Sequence, residues 1–112
     1  MVMQVKDKGK IIEEATSLTK KYSLLTNIYR VLILAYLMKN GDASWTDLKS
    51  FIESLVGRPN PNTLHFHLYA LVDAGVVEVY GDPEKPKYRL NSNKKDVLES
   101  VKPLLIYLSE ER

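Results

Sequence analysis

Apolar side chains first recur with a helical period at Ile11, Ile12, Ala15, Leu18 and Tyr22, which predicts an amphipathic helix over 10–22. Ile28, Val31, Leu32, Ala35 and Tyr36 share the face of a second helix, with Thr26 placed to cap it. Asn40-Gly41-Asp42 ends that helix, because Gly and Asn tolerate the left-handed backbone of a C-terminal cap. Ser44-Trp45-Thr46-Asp47 has the spacing of a capping box, with Asp in the usual Glu or Gln place. Leu48, Phe51, Ile52 and Leu55 form the stripe of a third helix, which Gly57 ends. Arg58-Pro59 turns the chain, Asn60 caps a fourth helix over 61–74, and Pro61 takes its first position, where a missing N–H does no harm. Leu64, Leu68, Leu71 and Val72 lie on its inner face, and Gly75 is its C-cap.

The period then changes. Val76-Val77-Glu78-Val79-Tyr80 is short and β-branched, residues 81–86 are turn material, and Lys87-Tyr88-Arg89-Leu90 alternates, which together predict a β-hairpin. A last helix over 93–109, capped near Ser92 or Asn93, carries Val97, Leu98, Val101, Leu104, Leu105 and Leu108 on one stripe, with a kink at Pro103. The expected fold is mainly α with a small β-hairpin: a winged helix-turn-helix with added N- and C-terminal helices. Residues 1–25 are then an N-terminal helical extension, 26–90 the winged-helix domain and 91–112 a C-terminal dimerisation helix.

Composition narrows the function classes. The chain has 112 residues, 45% apolar and 27% charged, which suits one globular domain and argues against disorder. The longest apolar run, Val31 to Met38, is about half the roughly 18 residues of a membrane span, and no secretory leader is evident. A cytoplasmic location is expected. With no cysteine there is no disulfide, thiol nucleophile or Cys-based zinc site. The net charge is only +2, with +3 in residues 1–30 and zero in 58–89, so charge permits a nucleic-acid partner without demanding one. The carboxylates are scattered and no Ser-His-Asp set or glycine-rich phosphate loop stands out, so the chain reads as a non-enzyme without a cofactor.

The stretch from Asn62 to Val77 resembles the recognition helix and first wing strand of the ArsR-like winged-helix transcription regulators. His67-Leu68, Leu71 and Ala74-Gly75-Val76-Val77 fall at the family's positions. Ser44-Trp45-Thr46-Asp47-Leu48 is similar to the start of its preceding helix, and Tyr88-Arg89-Leu90 to its return strand, so the resemblance covers roughly 26–90. It implies a dimeric regulator bound to double-stranded DNA. Two departures count: Phe66 and Tyr69 stand where the family often has a basic residue, and the Cys, His and Asp clusters of its metal sensors are absent. The cysteine-free, Lys- and Tyr-rich composition suggests an archaeal source.

At 100° per residue, with Leu64, Leu68 and Leu71 inward, the outer arc of the fourth helix holds Asn62, Thr63, Phe66, Tyr69, Ala70 and Asp73, with His65 on its flank. Asn62 suits a bidentate pair with adenine, and Thr63 or Phe66 a thymine methyl. The helix N-terminus, at Asn60, favours a phosphate. Arg58, Lys85, Lys87 and Arg89 suit backbone contacts that position without reading sequence. Each of these has a blander reading as a solvated face, and Phe66 one as a packing contact. His65 and His67 stand about 200° apart on a helix and cannot share a metal ion, so His67 is expected to pack half-buried. Trp45 is expected to serve as a hydrophobic staple or core plug. Ile11, Ile12, Ala15 and Leu18, with Val101, Leu104, Leu105 and Leu108, form two stripes that a core of this size would struggle to hide, which points to a homodimer interface. The rival reading is a winged-helix adaptor that binds protein through Phe66 and Tyr69. A non-specific chromatin-type binder would be more basic.

Overall fold

Each helix-period stripe through residue 73 folds as a helix, and strands too short to show a period join them. The structure, a computed structural model, describes residues 3–21, 25 and 27–110. Strand β1 (Met3–Val5) precedes α1 (Lys8–Lys21), α2 (Ile28–Asn40), β2 (Asp42–Ser44), α3 (Trp45–Val56) and α4 (Pro61–Asp73). The hairpin β3 (Val77–Asp82) and β4 (Lys85–Leu90) follows, then α5 (Lys95–Val101), a 3-10 helix (Lys102–Tyr107) and β5 (Leu108–Glu110). One antiparallel sheet has the order β2-β4-β3, and β1 pairs with β5 in another.

Caps explain most boundaries. Asn27, not Thr26, caps α2, its side chain accepting from the Tyr29 N–H at 2.8 Å; Thr26 and Tyr22 lie outside the described residues. Ser44 and Asp47 close the capping box of α3 in both directions, at 3.1 and 3.0 Å. At the far end of α4 the Gly75 and Val76 N–H groups reach back to the Val72 and Leu71 carbonyls, the double closure that needs a left-handed residue, and Gly75 supplies it with φ of 79°. Ala74 is therefore the cap and Gly75 the residue beyond it.

The second helix departs from expectation. It is buried on every side from Val31 to Leu37, not along one stripe, and so forms the axis of the core. Helices α1, α3, α4 and α5 and the 3-10 helix all pack against it. This overturns the argument that the chain cannot hide both flanking stripes. Ile11, Ala15, Val101, Leu104 and Leu108 are enclosed within one chain, and Ile12, Leu18 and Leu105 are partly covered by the same core.

The C-terminal segment also differs. The helix begins at Lys95, not near Ser92 or Asn93, because the Asn91 side chain folds the preceding turn, accepting from the Asn93 N–H at 3.0 Å and donating to the Gly75 carbonyl at 2.9 Å. Pro103 lacks the N–H that would continue the α ladder, so the chain tightens to a 3-10 helix from Lys102 and ends as strand β5, not as one kinked helix to 109. Val5 lies opposite Leu108, which fastens the two ends of the chain together. The hairpin is longer than its turn-rich sequence suggests: Gly81 pairs with Pro86 and Asp82 with Lys85, leaving Pro83-Glu84 as the connection. Pro86 is tolerated there because β2 pairs only with Lys87 to Arg89, so β4 has one neighbour at that point.

Candidate nucleic-acid interface

Helix α4 is anchored by Leu64, Leu68 and Leu71, all fully buried, and this fixes which side chains face outward. Asn62, Thr63 and Phe66 are exposed as the helical phase requires, Phe66 at 66%. Arg58 and Asn60 are exposed just ahead of them. Asn60 holds its Oδ1 against the Asn62 and Thr63 N–H groups at 2.8 and 3.4 Å, while its own carbonyl accepts from the Leu64 N–H at 3.0 Å. Pro61 has no N–H. The first turn of α4 therefore presents no open N–H donors, and the expectation that this helix end receives a phosphate is corrected. Asn60 acts first as a cap.

Tyr69 is corrected as well. It does not stand on the outer arc but leans, partly buried, toward the hairpin, its hydroxyl 3.2 Å from that of Tyr88. Burial first, and the Tyr69 hydroxyl second, push the Tyr88 phenol well above its ordinary value, so it stays protonated. Ring contacts extend the pair into a row: Tyr69 meets His65 edge-on at 4.7 Å, and His65 meets Trp45 at 4.8 Å. Trp45 is thus half-exposed: it packs against the edge of the core without filling it and also meets α4 through His65. Its contact with His65 follows from tertiary packing and has no local signal in sequence.

His67 turns the other way. Its Nδ1 accepts from the Arg30 Nε at 3.0 Å, and its ring meets Tyr29 edge-on at 6.0 Å. Burial, then the Arg30 charge, lowers its pKa below the ordinary 6.5. It is the half-buried packing residue the spacing predicts. Among the described residues no group of three His, Cys, Asp or Glu side chains is placed to hold a metal ion, and no helix is long and apolar enough to cross a membrane.

On the wing, Lys85, Lys87 and Arg89 alternate with Pro86 and the buried Tyr88, so the three cations share the exposed side of β4. Arg89 is engaged within the sheet: its Nε donates to Glu78 at 3.1 Å and its guanidinium lies over the Tyr80 ring, 4.4 Å from the centroid. It is less available to a phosphate than Lys85 and Lys87. Tyr80 in turn donates to Asp42, and that bond raises its pKa. The turn between the strands places Glu84 beside Trp45 and the start of α4, a neighbour the sequence did not reveal.

No protein-family model matches this chain, and no curated protein matches it. Solved structures do. The transcriptional repressor BigR from Xylella fastidiosa aligns with a TM-score of 0.59 at 21% identity, over 89% of this chain and 94% of BigR. HlyU from Vibrio cholerae aligns at 0.56 and 22% identity, over 88% and 92% of the two chains. Its reduced form aligns at 0.55 and 22%, over 87% of each. At this level of identity the likenesses lend no support to the archaeal source that the composition suggests. The likeness is one of architecture, and it extends beyond 26–90 into the flanking elements: the chain has the mainly helical winged helix-turn-helix fold with N- and C-terminal additions.

Proposed function

We propose that the protein is a DNA-binding transcription regulator without catalytic activity, working in the cytoplasm as a homodimer on double-stranded DNA. Helix α4 enters the major groove and the wing tracks the phosphate backbone. The observation that carries this reading is the exposed row Asn62, Thr63 and Phe66 on a helix locked from behind by three buried leucines, within a fold shared with a transcriptional repressor. Asn62 reads a base, Thr63 and Phe66 contact methyl groups, and Arg58, Lys85 and Lys87 hold the backbone. His65 and Arg89 play lesser parts, since each already has partners.

Dimerisation rests on what the single chain leaves uncovered. Ile12, Leu18 and Leu105 remain partly exposed, and Ile106, which the stripe omitted, is 68% exposed. Two recognition helices set about one DNA turn (~34 Å) apart require such a contact. In light scattering, Ile106→Glu should yield folded monomers, and an unchanged dimer would remove Ile106 from the interface.

Selection from a random duplex pool tests the DNA reading. The protein should enrich a defined site and hold it about a thousandfold or more above random duplex, with affinity falling as salt rises. Equal affinity for selected and random duplex would contradict sequence reading. No binding even at low salt would favour a protein-binding adaptor, for which the lack of any Lys or Arg in α4 would then be the explanation.

A further inference from the structure

The row of rings between α4 and the wing borders an open cleft of about 390 Å³, whose lining shares only Asn62 and His65 with the proposed DNA contacts. Trp45, His65, Tyr69 and Tyr88 contribute to its walls, with Asn62 at one side and Glu84 reaching in from the wing turn. Its charge is one-sided: Glu84 is the lone carboxylate in this lining, and no Lys or Arg belongs to it. Lys85 and Lys87 line an adjoining depression that shares Trp45, Glu84 and Pro86 with the cleft. Aromatic rings carry negative potential on their faces, and a cation beside them is stabilised further by a nearby carboxylate. The volume lies within the range of small-molecule sites.

We propose that this cleft is a binding site for a small organic cation, a quaternary ammonium group carried on a flat apolar body. The rings take the apolar body and the spread positive charge, and Glu84 supplies the counter-charge. The Tyr69 and Tyr88 hydroxyls bond each other, which holds the inner rings in place before any ligand arrives. An anion would meet Glu84 without a compensating cation in the lining, and a neutral isostere would forgo the charge terms.

Trp45 is the single tryptophan in the chain, so its emission reports on the cleft directly. The full chain is titrated with phenyltrimethylammonium, and with benzyl alcohol and benzoate as neutral and anionic controls. The cation should give a saturable change with a dissociation constant of about a millimolar or below, the range open to a ligand of this size. Glu84→Gln, an exposed position on the wing turn, should weaken it about tenfold. Asp73→Asn, an exposed carboxylate at the far end of α4, should leave it unchanged. No saturation, equal saturation by benzyl alcohol, or an unaltered response in Glu84→Gln would overturn the proposal. The test contains no DNA, so its outcome is independent of the regulator reading.

Discussion

The flanking elements and the α4–wing face begin from the same kind of sequence, apolar residues at helical spacing, and end in different surroundings. In the flank, Ile11, Ala15, Val101, Leu104 and Leu108 disappear into the core because α2 offers apolar surface around its whole circumference. Helix α4 packs Leu64, Leu68 and Leu71 against that core, yet Phe66 stays bare and exposed His65 meets half-buried Trp45 at a tilt. A full stripe is thus a poor guide to an interface when a central helix can absorb it. The informative residues are the large apolar ones that remain uncovered after packing is complete; Phe66 on one side and Ile106 on the other are the most exposed of these, ahead of Val56 and Val79.

Core truncations give the largest effects and test that contrast. Leu68→Ala in α4 and Leu104→Ala in the flank, both essentially without exposure, should each cost about 2–5 kcal/mol in urea unfolding. Glu99→Ala, at an exposed position of α5, should cost no more than about 0.5 kcal/mol. If Leu104→Ala behaves like Glu99→Ala, the flank is not part of the core. Asn60→Ala should cost about 1 kcal/mol by uncapping α4. A loss of DNA affinity in that variant without any loss of stability would return Asn60 to the contact surface.

The smallest effect is one of pH, and it concerns the hidden side of α4. Because the folded protein holds His67 below 6.5, the unfolded chain binds more protons between the lowered value and 6.5. Stability is therefore full above 6.5 and declines as pH falls through 6.5 toward the folded value. His67→Gln should flatten the dependence of the unfolding midpoint between about pH 7 and 5, and Arg30→Ala should reduce it. An identical slope in all three proteins would remove His67 as its source.

Much of this architecture was legible locally. Ser44 with Asp47, Asn60 with Pro61, and Gly75 beyond the end of α4 each carry a boundary in two or three residues, because caps are short-range chemistry. What stayed hidden depends on distant partners. Met3–Val5 and Leu108–Glu110 are three-residue strands with no visible alternation, and each exists only because the other pairs with it. Val31–Leu37 showed a stripe by its spacing, but only the surrounding helices make the whole circumference buried. In the site, helical phase placed Asn62, Thr63 and Phe66 correctly outward, whereas Tyr69 was drawn from the outer arc by the Tyr88 hydroxyl. Arg89 was likewise engaged by Glu78 across the hairpin, a contact set by strand register.

The central claim is that the outer face of α4 reads sequence while the wing and Arg58 supply general affinity, and Asn62→Ala measures it most directly. Asn62 is exposed in the first turn, and its main-chain N–H is already held by Asn60, so removing its side chain leaves the cap intact. A bidentate pair with adenine discriminates by ~1–3 kcal/mol, so binding of Asn62→Ala to the selected site should fall by roughly tenfold to a hundredfold. Binding to random duplex at the same salt should change little, because the phosphate contacts remain. Equal losses on both duplexes, or no loss on either, would contradict the claim.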